Sequence, residues 1–199
     1  MAGESLTTFE YALLGLIGMT SMSGYDVHKL FATTPLGHFS SSPGAIYPAL
    51  RRLEQRLLLK AALDSTTEAR PRRVYSLTDT GETVLDAWLR QQVTREELIS
   101  NSGAPILRFA LAGGRLSPDE VVTYLDGWRR AAEAYLQELR AYRDVMDPST
   151  VLHGRLSLER GIRGYEGDVG WIQDAIAEIR SRTRRVKGRG RRRTSGAQM

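Results

Sequence analysis

The chain has 199 residues and a formal net charge of +5, a length that allows one domain of ordinary size or two small ones. Cysteine is absent, which excludes disulfides, thiolate metal sites and a cysteine nucleophile and favours a cytoplasmic protein. The longest apolar stretch near the start, residues 11–19, is far shorter than the ~20 residues of a membrane span, so we expect neither a signal peptide nor a transmembrane helix.

Two helix start signals occur in the first 26 residues. Thr7 and Glu10 have the spacing of a capping box, and the almost unbroken apolar run over residues 11–19 predicts a short, well-buried helix after them. Ser23 and Asp26 repeat the same signal. A second helix is therefore predicted from about residue 23.

The segment SSPGAIYPALRRLE, residues 41–54, has helical apolar spacing around an internal proline. A buried stripe is predicted at intervals of four, three and four residues, through Ile46, Leu50, Leu53 and Leu57. Pro43 suits a first helical turn. Pro48 cannot donate a hydrogen bond to Gly44, which predicts an irregular or bent first turn. Alternatively, Pro48 only marks a later start of the helix.

Two strands are predicted after this helix, at residues 57–63 and 72–77, joined by a polar turn. A closing helix is predicted over residues 78–92. Residues 41–75 contain seven basic and three acidic side chains, an excess of positive charge that suits a surface binding a polyanion. Three helices, a hairpin and a closing helix predict a winged helix-turn-helix domain in residues 1–92.

A mostly helical second domain is predicted over residues 93–179. Ser117 to Glu120 combine an N-cap serine, a first-turn proline and two acids, which is a strong helix start. Apolar residues then recur at alternating intervals of four and three in two heptad series, over residues 121–146 and 158–179. Two such series separated by Asp147-Pro148 predict an antiparallel pair of helices.

Four glycines interrupt the second heptad series, and each disfavours a helix by about 1 kcal/mol relative to alanine. They are Gly161, Gly164, Gly167 and Gly170. Either they allow another helix to approach closely, or the helix breaks there.

After residue 179 the chain has nine basic residues, no acid and almost no apolar side chain, which predicts a disordered basic tail over residues 180–199. The rest of the chain has a net charge of −4.

Three segments resemble, in order and spacing, the PadR family of bacterial transcription regulators. They are YALLGLIGMTSMSGY, PGAIYPALRRLE and RPRRVYSLTDTG. ILRFALAGGRLSPDEV and YEGDVGWI more loosely resemble a longer PadR subgroup, which has a helical C-terminal domain similar to that of a virulence-gene activator. The resemblance implies a winged-helix repressor that binds duplex DNA as a homodimer, in some members released by a small molecule.

One position departs from the family pattern. The family usually has glycine where this chain has Leu57. A left-handed turn there would strain leucine by roughly 1–2 kcal/mol. Alternatively, the third helix runs on through Leu57, which would leave the first strand of the hairpin uncertain.

The winged-helix context places Tyr47, Arg51 and Arg52 where a helix tip enters the major groove. Arginine suits guanine, because two of its donors match N7 and O6, whereas tyrosine more often reaches a phosphate. The full predicted DNA-binding set is Ser23, Tyr25, Ser42, Gly44, Tyr47, Pro48, Arg51, Arg52, Arg70, Arg72 and Arg73. The alternatives are a solvated charged face for the helix, an ordinary charged loop for the wing arginines and a simple helix cap for Ser23.

The heptad series are predicted to form the homodimer interface. The predicted interface residues are Leu125, Trp128, Tyr135, Leu139, Ile162, Tyr165, Val169, Ile172 and Ile176. A set of aromatic residues could line a pocket for a flat aromatic effector between the domains, although core and dimer packing are the simpler roles for them. These residues are Trp88, Trp128, Trp171, Tyr135, Tyr142 and Tyr165.

Two other classes of protein compete with a DNA-binding regulator. An enzyme or metalloprotein would need converging catalytic or ligating groups, but the chain has only His28, His38 and His153, with no ligand spacing between any two. We therefore expect no catalytic site, metal or cofactor. The second class is a helical adaptor that binds another protein or RNA through its C-terminal helices and basic tail.

Overall fold

The computed structural model of the chain describes residues 5–34, 43–64, 72–147 and 152–194. The chain divides into two compact units, residues 1–89 and 90–199, here called the N-terminal and C-terminal units. The described part of the N-terminal unit contains four helices and three strands: α1 (Thr8–Met19), β1 (Met22–Ser23), α2 (Gly24–Thr33), α3 (Pro43–Gln55), β2 (Leu59–Asp64), β3 (Arg72–Leu77) and α4 (Asp79–Leu89).

The first two helices begin with the capping boxes that the sequence predicted. The Thr7 hydroxyl accepts the Glu10 amide, and the Ser23 hydroxyl accepts the Asp26 amide. In both boxes the carboxylate accepts the backbone amide of the cap residue in return. Residues 12–17 of α1 are buried, because α3, α4 and β3 pack against this helix. α1 is therefore the central helix of the N-terminal core.

Helix α3 ends at a left-handed turn formed by Leu57. This residue has φ of +59°, its amide donates to the Glu54 carbonyl, and the Leu58 amide donates to the Leu53 carbonyl. These are the two bonds of a Schellman motif. The buried Leu58 and Leu53 supply the apolar contact that accompanies it. The helix therefore does not run on, and leucine occupies the strained left-handed turn. Leu57 is 71% exposed, so the prediction that it continues the buried stripe of α3 is wrong.

The strands form one antiparallel sheet in the order β1-β3-β2. β2 and β3 are the predicted hairpin, with Leu59 paired to Leu77 and Asp64 to Arg72. β1 pairs Met22 with Tyr75 and was not predicted, because a strand of two residues has no alternation to detect. The sheet connects the start of α2 to the wing.

The C-terminal unit is helical, as predicted. Its elements are α5 (Arg95–Ser100), α6 (Gly103–Leu111), α7 (Pro118–Val145) and α8 (Leu152–Thr194). Ser117 caps α7 through a capping box with Glu120, which confirms the predicted start. α7 and α8 pack as an antiparallel pair, with Trp128 against Trp171 and Arg140 paired to Glu166. Their core includes Leu125, Ala132, Ile172 and Ile176.

Helix α8 is continuous past its glycines, and its structure differs from two predictions made from the sequence. A Cβ built at Gly161, Gly167 or Gly170 would meet no atom within 4 Å, so the helix neither breaks there nor uses these glycines for close packing within the chain. The helix also extends through Thr194, where the sequence predicted disorder. Arginine is a good helix former, and extending an existing helix avoids the cost of nucleation.

Within the described ranges, no helix combines the length and apolar composition of a membrane span. The same ranges contain no group of three or more His, Asp or Glu side chains that could hold a metal ion.

Candidate nucleic-acid interface

Helix α3 presents a polar face opposite its buried stripe. Ile46, Leu50 and Leu53 are fully buried, which fixes one side of the helix against the core. Tyr47 is 41% exposed, and Gly44, Pro48, Arg51 and Arg52 are also exposed. The structure therefore brings the predicted contact residues of α3 onto one accessible face.

Pro48 lies inside a helix that begins at Pro43 and continues to Gln55. The alternative in which Pro48 marks a later helix start is therefore wrong. The proline ring removes one backbone donor from this helix, and Pro48 is exposed on the polar face. Two predicted site residues, Ser42 and Arg70, lie outside the described residues.

Helix α2 supports α3 at a close contact beside Tyr47. A Cβ built at Gly24 would lie 2.6 Å from the Cε1 atom of the Tyr47 ring and 3.4 Å from a Leu50 methyl. Glycine at this position therefore allows the two helices to approach and lets the tyrosine ring lie over the start of α2. Tyr25, the next residue, is 63% exposed.

Ser23 is used within the cap of α2. It is 5% exposed, and its hydroxyl donates to Oδ2 of Asp26 at 2.7 Å while accepting the Asp26 amide. This hydrogen bond, with smaller contributions from the charges of Arg72 and Lys29, holds the pKa of the Asp26 carboxyl below its ordinary value. The geometry favours the cap role that the sequence left open for Ser23.

The arginines of α3 and the wing have different partners. Arg52 donates from Nε to Oε1 of Glu10 at 3.1 Å, and Arg73 donates from Nη2 to both carboxylate oxygens of Glu54, at 2.5 and 2.6 Å. Arg51 makes no hydrogen bond or ion pair with any described residue. Within the described part of the chain, Arg51 is therefore the α3 arginine whose side-chain donors have no partner.

The partner of Arg52 is a buried carboxylate. Burial alone would raise the pKa of Glu10, but hydrogen bonds from Thr7 and Arg52 outweigh it and hold that pKa below its ordinary value. The sequence identified Glu10 only as a cap residue and missed this ion pair. No local pattern connects two residues that are 42 positions apart.

The wing arginines lie on β3. Arg72 and Arg73 are exposed, and the guanidinium of Arg73 also lies 5.6 Å from the centre of the Tyr75 ring. Because Arg73 is exposed and Glu54 only half-buried, solvent screens this pair and its contribution to stability is small. A phosphate could replace Glu54 as the partner of Arg73 at little cost.

Most of the predicted dimer residues are used inside the C-terminal unit. Leu125, Trp128, Ile162, Ile172 and Ile176 are each at most 7% exposed in the single chain. The Tyr135 and Tyr165 rings pack edge to face at 5.0 Å, and Val169 and Leu139 are partly buried. The heptad series thus join α7 to α8 of the same chain, and a role in a dimer stays a prediction.

The aromatic residues predicted to line an effector pocket lie in several separate contacts. Trp88 stacks on Tyr11 at 4.4 Å in the N-terminal unit. In the C-terminal unit Trp128, Trp171 and Phe109 form one cluster, with centroid distances of 5.3 to 5.7 Å between successive rings. Tyr142 is 61% exposed. The Nε1 atom of Trp128 is buried without a hydrogen-bond partner.

Three helices followed by a hairpin, with an exposed basic face on the third helix, define a winged helix-turn-helix protein. Residues 13–87 match the transcriptional regulator PadR-like family, and residues 110–180 match the virulence activator alpha C-terminal family. The negative transcriptional regulator PadR of Bacillus subtilis (strain 168) is 32% identical over 180 residues, which cover 87% of this chain and 98% of that protein. The chain belongs to the PadR-like family of transcriptional regulators, which confirms the predicted family and fold class.

Solved structures of Bacillus subtilis PadR are among the structures that this chain resembles. PadR in complex with operator DNA is 24% identical, with a TM-score of 0.42, and the match covers 88% of this chain and 99% of that chain. PadR in complex with p-coumaric acid is 24% identical, with a TM-score of 0.39 and coverage of 89% and 98%. The family consists of transcriptional regulators, and the prediction that the chain is not an enzyme is confirmed.

Proposed function

We propose that this regulator is a cytoplasmic, homodimeric repressor that binds an inverted-repeat operator in duplex DNA through α3 and the wing. The observation that carries the proposal is Arg51, an exposed arginine with no partner among the described residues, on the face of a helix whose other side is buried in the core. The name of the Bacillus subtilis relative, a negative transcriptional regulator, supports repression.

The chemistry of each contact follows from the side chains on the α3 face. Arg51 can donate two hydrogen bonds to N7 and O6 of guanine in the major groove, whereas Tyr47 suits a phosphate oxygen. Arg72 and Arg73 on the wing would contact the sugar-phosphate backbone, adding affinity that falls with salt. Base contacts by α3 thus specify the sequence, and wing contacts position the protein.

A homodimer would present two α3 helices to successive major grooves. Half-sites would then lie about one helical turn, roughly 34 Å, apart. Exposed apolar residues at the end of α7 and the start of α8 are available for a second copy, namely Tyr142, Val145, Leu152 and Leu156, with exposed fractions of 53% to 80%. We propose this surface as part of the dimer interface, beside the partly buried Tyr135 and Tyr165.

The decisive experiment is a footprint followed by affinity measurement with Arg51→Ala. We expect the purified protein to protect an inverted repeat upstream of its own or a neighbouring gene. On that repeat, Arg51→Ala should weaken binding by a factor of roughly 5 to 150 for each half-site, the value of one bidentate base contact. Binding to a scrambled duplex should change much less. Arg163→Ala, which removes an exposed arginine from α8, is the matched control and should behave as wild type.

The alternative of a helical adaptor predicts a different result. An adaptor would bind the inverted repeat and the scrambled duplex with equal affinity. Arg51→Ala would then change both affinities to the same extent. Such a result, together with a strictly monomeric protein in analytical ultracentrifugation, would contradict the proposal.

We further propose that a small aromatic acid releases the protein from its operator. Bacillus subtilis PadR, the 32% identical relative, has been crystallised with p-coumaric acid. The buried Trp128 N–H that lacks an acceptor is a group that a bound hydroxyl or carboxylate can satisfy. Adding p-coumaric acid to the operator complex should release DNA and change tryptophan fluorescence, and Trp128→Phe should reduce both effects. An operator complex that is unchanged at millimolar acid would contradict this.

A further inference from the structure

Arg51 and Arg52 are adjacent in sequence but have different surroundings. Arg51 is exposed without a protein partner among the described residues. The Arg52 side chain is 54% exposed, but its Nε and Nη2 atoms lie 3.1 and 3.0 Å from Oε1 of Glu10. The two residues therefore have different chemistry to offer a ligand, although the sequence assigned both to DNA contact.

Glu10 is the fixed end of this pair. Its side chain is 7% exposed, and its second oxygen, Oε2, accepts the Thr7 amide at 3.0 Å and the Thr7 hydroxyl at 3.1 Å. Both carboxylate oxygens are thus used, one by the start of α1 and the other by Arg52. Because α1 is the central helix of the unit, Glu10 has little freedom to move.

The Arg52–Glu10 ion pair restrains the orientation of α3 in a way that the apolar face of the helix does not. Burial of Ile46, Leu50 and Leu53 is non-directional and tolerates small rotations of a helix. Charge-assisted hydrogen bonds have defined directions and short distances. An arginine that donates from Nε to one immobile oxygen, with Nη2 also 3.0 Å from that oxygen in the ion pair, therefore restricts the rotation of α3 about its own axis.

We propose that Arg52 is a positioning residue, which anchors α3 to the capped start of α1 so that its neighbour Arg51 faces the base edges. This inference rests on the proposed operator binding. In this role Arg52 contributes to selectivity through Glu10 rather than through a contact of its own with DNA.

The test uses the full chain with Arg52→Ala, Glu10→Gln and the double variant. Glutamine keeps the cap of α1, because it is an accepted residue at this position of a capping box, so the helix start is preserved. Fluorescence anisotropy on operator and scrambled duplexes, over a series of salt concentrations, gives selectivity and the salt slope. Thermal unfolding shows that each variant is folded at the assay temperature.

A positioning role gives a specific pattern. Arg52→Ala and Glu10→Gln should each lower the ratio of operator to scrambled affinity by about tenfold, since a misaligned arginine loses base discrimination of that size. The double variant should be no worse than either single one, and the salt slope should stay that of wild type. Arg51→Ala should lower the same ratio without lowering the unfolding temperature.

Two results would overturn the inference. If Arg52 contacts a phosphate directly, Arg52→Ala will weaken both duplexes alike and reduce the salt slope by about 1 for each subunit, while Glu10→Gln will free the arginine and strengthen binding. If neither variant changes the affinity ratio by more than twofold, Arg52 has no positioning role. Failure of the proposed function itself would appear separately, as a wild-type chain that does not prefer the operator.

Discussion

Replacing Gly81 with alanine is expected to unfold the N-terminal unit well below the unfolding temperature of the wild-type protein. Gly81 lies in the first turn of α4 and is buried. A Cβ built there would lie 2.1 Å from the backbone oxygen of Leu58 and 3.0 Å from its carbonyl carbon. Because both are backbone atoms, no side-chain rotation relieves the clash, and either α4 or the start of β2 must move.

The movement would break contacts that close the domain. The Leu58 oxygen accepts the Thr78 amide at 3.1 Å, and the Thr78 hydroxyl accepts the Gly81 amide while donating to the Leu57 carbonyl at 2.6 Å. Overpacking with a backbone shift costs about 1–3 kcal/mol or more. A loss at the upper end of that range lowers the unfolding temperature of a small domain by roughly 10 °C or more.

Circular dichroism during heating measures the effect of Gly81→Ala. Gly113→Ala is the matched control, because a Cβ at Gly113 would meet no atom within 4 Å, and its unfolding temperature should stay close to that of wild type. A Gly81→Ala protein that melts within 2 °C of wild type would have lost about 0.5 kcal/mol or less of its free energy of unfolding. Such a result would show that the contact between α4 and the start of β2 is looser than its distances indicate.

Local sequence patterns were sufficient for most elements of the fold. The starts of α1 and α2 were predicted from capping boxes, and the start of α7 was predicted from an N-cap serine, a first-turn proline and two acids. All of these signals lie within a few residues of one another. The two long strands and the polar face of α3 were also predicted, since alternation and helical periodicity report burial directly. These features need no knowledge of distant parts of the chain.

Features that depend on distant residues were not predictable in this way. β1 exists because Met22 pairs with Tyr75, and Arg52 is anchored because Glu10 lies beside it in the fold. The turn at Leu57 was left open between two alternatives, because local energy alone disfavours a left-handed leucine. The Schellman bonds and the burial of Leu58 outweigh that strain.

Periodicity also does not identify the partner of a buried face. The heptad series predicted buried positions such as Leu125 and Ile172 correctly, but a repeat of fours and threes is the same whether the second helix belongs to the same chain or to another copy. In the structure α7 and α8 cover each other's apolar seams. Exposed positions outside the repeat, such as Val145 and Leu152, are therefore better candidates for contact between copies.

The basic tail is the part of the chain whose charge differs most from the rest. Its nine positive charges follow a body with a net charge of −4, and the match to the C-terminal family ends at residue 180. Among the described side chains, Arg182 pairs with Glu178, but residues 180–199 contain no acid of their own. The segment therefore cannot neutralise its own positive charge.

Deleting residues 180–199 is expected to weaken binding to operator and scrambled duplexes alike. Each phosphate that the tail neutralises contributes about 0.9 to the slope of log affinity against log salt concentration. The loss of a few such contacts therefore flattens the slope and lowers the affinity on the order of a hundredfold at low salt. A full-length variant with the nine basic residues replaced by glutamine separates charge from chain length and should match the deletion. A loss confined to the operator would instead assign the tail a role in specificity, and an unchanged slope would leave it only a role in solubility.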